Sequence, residues 1–292
     1  MKTTKIDLHS HTRGSDGTGT PAQIALAAKK AGLDGLCLTD HHTNMTDEVH
    51  KVAEALRGVG VLPIIGVEYS TAQGHLLIYG IDVPAKAWGM YPDMQAVIDE
   101  VNGLGGACIT PHPFKGYQRA LHEKLETITG LVAVESLNGQ VEVQNQATNR
   151  KARDAAKRMG IPRVGASDAH VPDGIGLAYT AFEGEIPDEE TFLLALRSGK
   201  FKAKRNDVIY EARTAWRKTE TVVSPARYIP ARPYRRDVRV VDDNFLEQAR
   251  FAEEHGGTFY DREMLAALAD IEDAEDFDFM ESEFRRVMDK ED

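Results

Sequence analysis

The stretch KIDLHSHTRGSDGTGTPAQIALAAKKAGLDGLCLTDHH, residues 5–42, holds one complete structural unit. Lys5–His9 reads as a buried strand, followed by a polar loop containing Gly14, Gly17 and Gly19. Thr20 suits a helix N-cap, Pro21 suits the first helical position, and Gly32 closes the helix. Gly35–Asp40 is then a second strand, almost wholly apolar. Two strands buried on both faces and joined through a helix make a parallel βαβ unit. At the end of each strand the apolar run gives way to His and Asp: His9 and His11 after the first, Asp40, His41 and His42 after the second.

The same alternation continues along the chain. Further strands are expected at Leu62–Tyr69, His75–Ile81, Ala107–Pro111, Leu131–Ser136 and Arg163–Ser167. Helices are expected from Thr46 to Leu56, Pro92 to Asn102, Val141 to Met159 and Pro187 to Ser198, each ending near a glycine. Seven strands before residue 200 predict a small α/β barrel, with an open sheet as the alternative.

The chain has 292 residues, 42% hydrophobic and 28% charged, which suits a buried core and excludes a disordered composition. No apolar stretch is long enough for a membrane span, so no membrane role is expected. The first residues lack the apolar core of a secretory signal. Cys37 and Cys108 sit in apolar runs and read as buried thiols, so the expected location is cytoplasmic.

The net charge of −11 hides an uneven distribution. Residues 197–239 carry 13 Lys and Arg against 4 Asp and Glu, whereas residues 242–292 carry 5 against 18. The expected organisation is a barrel over 1–203, a basic, Pro-containing arm over 204–241 and an acidic helical tail over 242–292. The arm interleaves Tyr210, Trp216, Tyr228 and Tyr234 with arginines, a combination that suits single-stranded nucleic acid. The plainer reading is a packing arm whose charge the tail balances. Nothing in the tail identifies a protein partner.

Chemistry concentrates in seven histidines placed at or just after strand ends: His9, His11, His41, His42, His75, His112 and His170. Catalytic groups of parallel barrels gather at the C-terminal rim of the strands. His9 and His11, and likewise Asp168 and His170, are two residues apart and therefore face one side. Glu68 ends the run Leu-Pro-Ile-Ile-Gly-Val-Glu. Imidazoles and carboxylates together suit Zn, Mn or Fe, and several of each at one rim would hold more than one ion. His50, His122 and His255 read as exposed helix residues.

Asp-Leu-His-Ser-His-Thr at 7–12, Ser-Asp-Gly at 15–17, Leu-Thr-Asp-His at 38–41 and Gly-Val-Glu at 66–68 resemble the PHP (polymerase and histidinol phosphatase) superfamily. So do Gly-His-Leu-Leu at 74–77, Pro-His-Pro at 111–113 and Ser-Asp-Ala-His at 167–170, in the family's order. The resemblance spans residues 5–200 and implies a distorted seven-stranded (β/α) barrel with a trinuclear metal centre and phosphoesterase activity. By motif, the first of two or three divalent ions (Mn, Fe or Zn) would take His9, His11, Glu68 and Asp168. The second would share Glu68 and add His75 and His112, and the third would take Asp16, His41 and His170. His42 stands where the family commonly has Asp or Asn, so it competes with His41 as a ligand or lies beside the site.

The expected reaction is hydrolysis of a phosphomonoester of a nucleotide-like substrate by a hydroxide bridging the metals, with Asp168 and Glu68 central and His42 as candidate acid. Arg13, Lys115 and Arg119 are candidate phosphate contacts, and Asn138, in Glu135-Ser-Leu-Asn138, is a candidate substrate contact. Asp7 and Asp40 are placed to orient neighbouring ligands. The alternatives are a single-strand exonuclease using the basic arm and an inactive metal-binding regulatory module.

Overall fold

A computed structural model describes residues 2–115, 121–144 and 146–211. Its strands, in chain order, are β1 (Thr3–Asp7), β2 (Gly35–Leu38), β3 (Leu62–Thr71), β4 (Gly74–Tyr79), β5 (Ala107–Thr110), β6 (Ala133–Asn138), β7 (Arg163–Ala166), β8 (Ala178–Glu183) and β9 (Phe201–Arg205). The helices are α1 (Pro21–Lys30), α2 (Asp47–Gly58), α3 (Met94–Gly103), α4 (Gly139–Gln144), α5 (Gln146–Met159) and α6 (Glu189–Ser198). One sheet holds all nine strands in the order β7-β6-β5-β4-β3-β2-β1-β8-β9.

The helix starts follow their caps. Thr20 forms a capping box with Gln23 at α1, and the hydroxyl of Thr46 accepts from Val49 at α2. Asp93 caps α3, so the helix begins at Met94 and not at Pro92. Asp188 caps α6, and Gly199 ends it in the left-handed conformation. The segment Val141–Met159, expected as one helix, is helical on both sides of residue 145, which lies outside the described residues.

Seven strands were expected, and β1–β7 occupy those positions; β8 and β9 are additional. Residues 204 and 205, assigned from sequence to the start of the arm, belong to β9, which pairs with β8 over its whole length. The rest of the arm beyond 211, and the tail, lie outside the described residues. A second correction concerns β4, which runs antiparallel to both β3 and β5. Only Ala72 and Gln73 separate β3 from β4, too few for the crossover that a parallel strand needs. His75 therefore lies at the start of its strand, but still on the rim where the parallel strands end.

The ends of the sheet approach each other in two ways. Beyond β1 and β7 the chain forms a parallel pairing at the rim, with Asp168 N–H donating to His9 O at 2.9 Å and His11 N–H to Ala169 O at 2.9 Å. Lower down, the Thr180 hydroxyl bridges β8 to β7, accepting from Gly165 N–H at 3.0 Å and donating to Gly165 O at 2.9 Å. A Cβ on Gly165 would lie 2.8 Å from Tyr179 O, so only glycine permits this approach. Thr180→Val removes both bonds and leaves a buried backbone pair unsatisfied. The expected loss is about 1–3 kcal/mol, read as a lower urea midpoint at unchanged slope.

Ile6, Leu8, Ile64, Leu77, Tyr79 and Phe182 pack inside the sheet, and α6 adds Phe192 and Leu196 to the same cluster. Arg197 of α6 donates to Gly106 O at 2.9 Å, just before β5 begins. The helix thus closes the end where the parallel strands start, leaving the opposite rim for chemistry. No helix among the described residues is long and apolar enough to cross a membrane.

Candidate metal centre

Every strand of the expected barrel except β6 sends donor side chains to this rim. His9 and His11 follow β1, Asp16 lies in the loop beyond, and His41 follows β2. Glu68 is on β3, His75 opens β4, His112 follows β5, and Asp168 and His170 follow β7. All nine sequence-assigned donors meet in one cluster.

The distances resolve three groupings. His9 Nε2 and His11 Nε2 are 3.1 Å apart, with Glu68 Oε2 3.0 and 3.2 Å away and Asp168 Oδ1 3.6 Å from each. The other Glu68 oxygen, Oε1, faces His75 Nδ1 at 2.8 Å and His112 Nε2 at 3.0 Å. Asp16 Oδ2 faces His170 Nε2 at 3.1 Å and His41 Nε2 at 3.5 Å, and His11 Nδ1 lies 3.5 Å from Asp16 Oδ1. His41, not His42, faces the third grouping. The His42 ring is half-buried and stands edge-on to Tyr69, 5.6 Å between centroids.

This donor set fits divalent cations. Two imidazole nitrogens and two carboxylates converge where protons alone would pair them poorly. His11 Nδ1 is buried and makes no hydrogen bond, which is costly unless a cation engages it. Mixed N and O donors match Zn, Mn or Fe. The backbone is also forced: His42, His112 and Asp168 have φ of 63°, 25° and 57°, values that side-chain-bearing residues seldom adopt.

Charge inside the cluster is set by competition with burial. Burial works against ionisation of Glu68, but His9, His75, His11 and His112 outweigh it and hold the carboxyl well below its ordinary range. Burial likewise opposes the charge on Asp168, where Lys115 and His9 prevail. Burial would neutralise His9, yet Glu68, Asp168 and Glu135 raise it to about 10, and His11 is raised well above normal by Asp16, Asp168 and Glu68 against the same penalty. In His112 burial wins and the imidazole is pushed down.

The raised basicity of His9 and His11 makes protons compete with a cation for these imidazoles. Mn(II) binding is expected to release protons and to strengthen as pH rises toward 10. Calorimetry in two buffers of different ionisation enthalpy checks this; equal heats in both would contradict it.

The other site expectations separate. Lys115 Nζ donates to Asp168 Oδ2 at 2.9 Å and is 29% exposed at the rim. Arg13 is exposed on the loop after β1, its Nε donating to Thr18 O at 3.1 Å. Arg119 lies outside the described residues. Asn138 is fully buried, its amide donating to Glu135 Oε2 at 2.9 Å and Asp168 Oδ2 at 3.0 Å while its oxygen accepts from Val141 N–H. This corrects the expectation of substrate contact, since Asn138 is spent on the carboxylates behind the site.

Asp7 orients no imidazole. It accepts from the backbone N–H of Ser167 and Gly176, both at 2.8 Å, and burial pushes it up to about 6 despite those bonds. Asp40 anchors the first loop, accepting from Thr12 N–H at 2.6 Å and from the Ser15 hydroxyl at 2.8 Å. The residue missed as part of the site is Glu135. Its signal was the one the others shared, an acid at the end of an apolar strand.

A family model described as PHP domain matches residues 7–158, more than half of the chain, and one described as PHP-associated matches residues 146–201. The chain belongs to the PHP family. An uncharacterised protein of Methanocaldococcus jannaschii is 31% identical over 134 residues, 41% of this PHP chain and 74% of the relative. A 3′,5′-nucleoside bisphosphate phosphatase of Chromobacterium violaceum is 32% identical over 108 residues, 35% of this chain and 37% of its own length. A 5′-3′ exoribonuclease of Haemophilus influenzae is 38% identical over 69 residues, 24% of each chain. The PHP chain thus spans only about a third and a quarter of the two named enzymes.

Among solved structures, a two-domain protein from Bacteroides vulgatus containing a predicted PHP-like metal-dependent phosphoesterase superposes with a TM-score of 0.55 and 20% identity. That match covers 70% of this chain and 65% of the other. It shows the shared fold.

Proposed function

We propose that this PHP chain hydrolyses a phosphomonoester of a nucleotide-like substrate with two or three bound divalent ions. Metal-dependent phosphoester hydrolysis follows from the family and the donor set. One observation carries the reading: Glu68 turns its two oxygens to different donor groups, so one carboxylate would serve two cation positions. His9, His11, Glu68 and Asp168 would hold the first ion, Glu68, His75 and His112 the second, and Asp16, His41 and His170 the third. The ions supply Lewis-acid activation of water and neutralise charge on the phosphoryl oxygens.

The chain's own groups do the rest. Lys115, at the rim beside Asp168, grips a phosphoryl oxygen, and Arg13 on the adjoining loop extends the positive approach. His42, next to His41 and outside the three groupings, is the acid of this reading. The nucleotide assignment draws on similarity to the bisphosphate phosphatase. The buried, unbridged Cys37 and Cys108 support a cytoplasmic location.

Lys115→Met should raise KM about tenfold or more with a smaller change in kcat. An unchanged KM would remove Lys115 from substrate binding.

The deciding experiment is a chromatographic product assay with Mn(II), beside an Asp168→Asn control. It offers 5′-nucleotides, 3′,5′-bisphosphonucleosides and a short single-stranded oligonucleotide. Inorganic phosphate from the small nucleotides, absent in the control, is the expected result. Mononucleotides from the oligomer would replace this reading with the exonuclease, the activity named for the Haemophilus relative. Bound metal without product from any substrate would leave a metal-binding module.

A further inference from the structure

We infer that Glu135 and Asn138 form a positioning pair behind the metal centre, which sets the His9 tautomer and makes Asp168 a one-oxygen ligand. The inference rests on reading the cluster as a metal centre. Both residues lie on β6, the barrel strand that supplies none of the nine donors, and both are fully buried.

Glu135 Oε1 faces His9 Nδ1 at 3.2 Å, while Oε2 accepts from His112 N–H at 2.7 Å and from Asn138 Nδ2 at 2.9 Å. A carboxylate at Nδ1 keeps the proton there and leaves the Nε2 lone pair directed at His11 and Glu68, as a ligand imidazole requires. The bond to His112 N–H also supports the backbone that holds φ at 25°. On the other side of the pair, Asn138 Nδ2 and Lys115 Nζ both donate to Asp168 Oδ2, at 3.0 and 2.9 Å. That occupies Oδ2 and leaves Oδ1 facing His9, His11 and His170, each at 3.6 Å. One pair thus fixes three donors that come from three different strands.

The chemistry of Glu135→Gln is specific. The glutamine oxygen must take the Oε2 position, because two N–H donors converge there. Its NH₂ then faces His9 Nδ1, which must become the acceptor. The His9 proton moves to Nε2 and points into the space a cation would occupy.

Co(II) titration of the full chain, followed by visible absorption, reads this without substrate. Glu135→Gln that is folded by circular dichroism should bind one ion at least about tenfold more weakly, with an altered d–d band. A purely packing role would lower the melting temperature of the metal-free protein and leave affinity and band unchanged, and that result overturns the inference. Where Glu135→Gln does not fold, Asn138→Ser decides. It removes the donor to Asp168 and should also weaken one ion, whereas wild-type affinity would overturn the inference. Wild-type protein that binds no Co(II) would instead overturn the metal centre itself.

Discussion

Glu68→Gln should abolish metal-dependent hydrolysis, lowering kcat/KM by about three orders of magnitude or more, equivalent to about 4 kcal/mol of transition-state stabilisation. The side chain is 1% exposed and nearly isosteric with glutamine, so the change is electrostatic and not one of volume. In the native chain Oε2 serves His9 and His11, and Oε1 serves His75 and His112. Glutamine offers one oxygen and an NH₂, so at least one donor group loses its anion. The replacement also removes negative charge from a buried cluster of imidazoles, which raises the cost of placing two cations there. Metal content per chain should fall together with activity. Activity within tenfold of wild type at full metal content would show that Glu68 bridges nothing essential.

The sequence revealed the rim more readily than the way the barrel closes, for a physical reason. Buried parallel strands are nearly continuous apolar runs, and His or Asp at their ends breaks the run visibly, as in Leu8-His9 and Leu38-Thr39-Asp40-His41. Positions β1 to β7 were legible for that reason. β8 was not, because Ala178–Glu183 alternates between buried and partly exposed residues and contains no run of Val, Ile or Leu. β9 was obscured by Lys202 and Lys204, exposed residues of a strand whose last two positions read as the start of the arm. The reversal of β4 depends on a two-residue connection, which apolar periodicity does not register.

The donors were legible one by one, but their supports were not. Asp7 and Asp40 sit close to ligands in sequence, yet they bond to groups brought in from elsewhere in the chain, and Asn138, on the strand without a ligand, bonds to Asp168 beyond the neighbouring strand. Such partners, separated by 28 residues for Thr12 and Asp40 and by 160 for Ser167 and Asp7, exist only once the barrel closes.

Gly17→Ala should disable the third donor grouping while sparing the first two. From sequence, Gly14, Gly17 and Gly19 suggest a flexible loop, but none of them has a positive φ, and Gly17 is buried. What Gly17 provides is room. A Cβ there would lie 2.6 Å from the His11 carbonyl carbon and 2.8 Å from Thr12 O, both backbone atoms that cannot rotate away. Those atoms belong to a tight knot in which Gly17 N–H donates to Thr12 O at 2.9 Å and Thr12 N–H to Asp40. The added methyl must therefore displace the loop that carries Asp16, at a cost of about 1–3 kcal/mol. Asp16 is the only carboxylate among the described residues of the third grouping, so its displacement takes the anion away from the Nε2 atoms of His41 and His170 that face it. The expected result is one fewer tightly bound ion per chain and a lower melting temperature. Gly58→Ala is the matched control: it ends α2, meets nothing within 4 Å and should raise stability by about 0.5–1 kcal/mol. Gly17→Ala with full metal content and wild-type stability would show that the loop yields without moving Asp16, and that the third grouping does not depend on this packing.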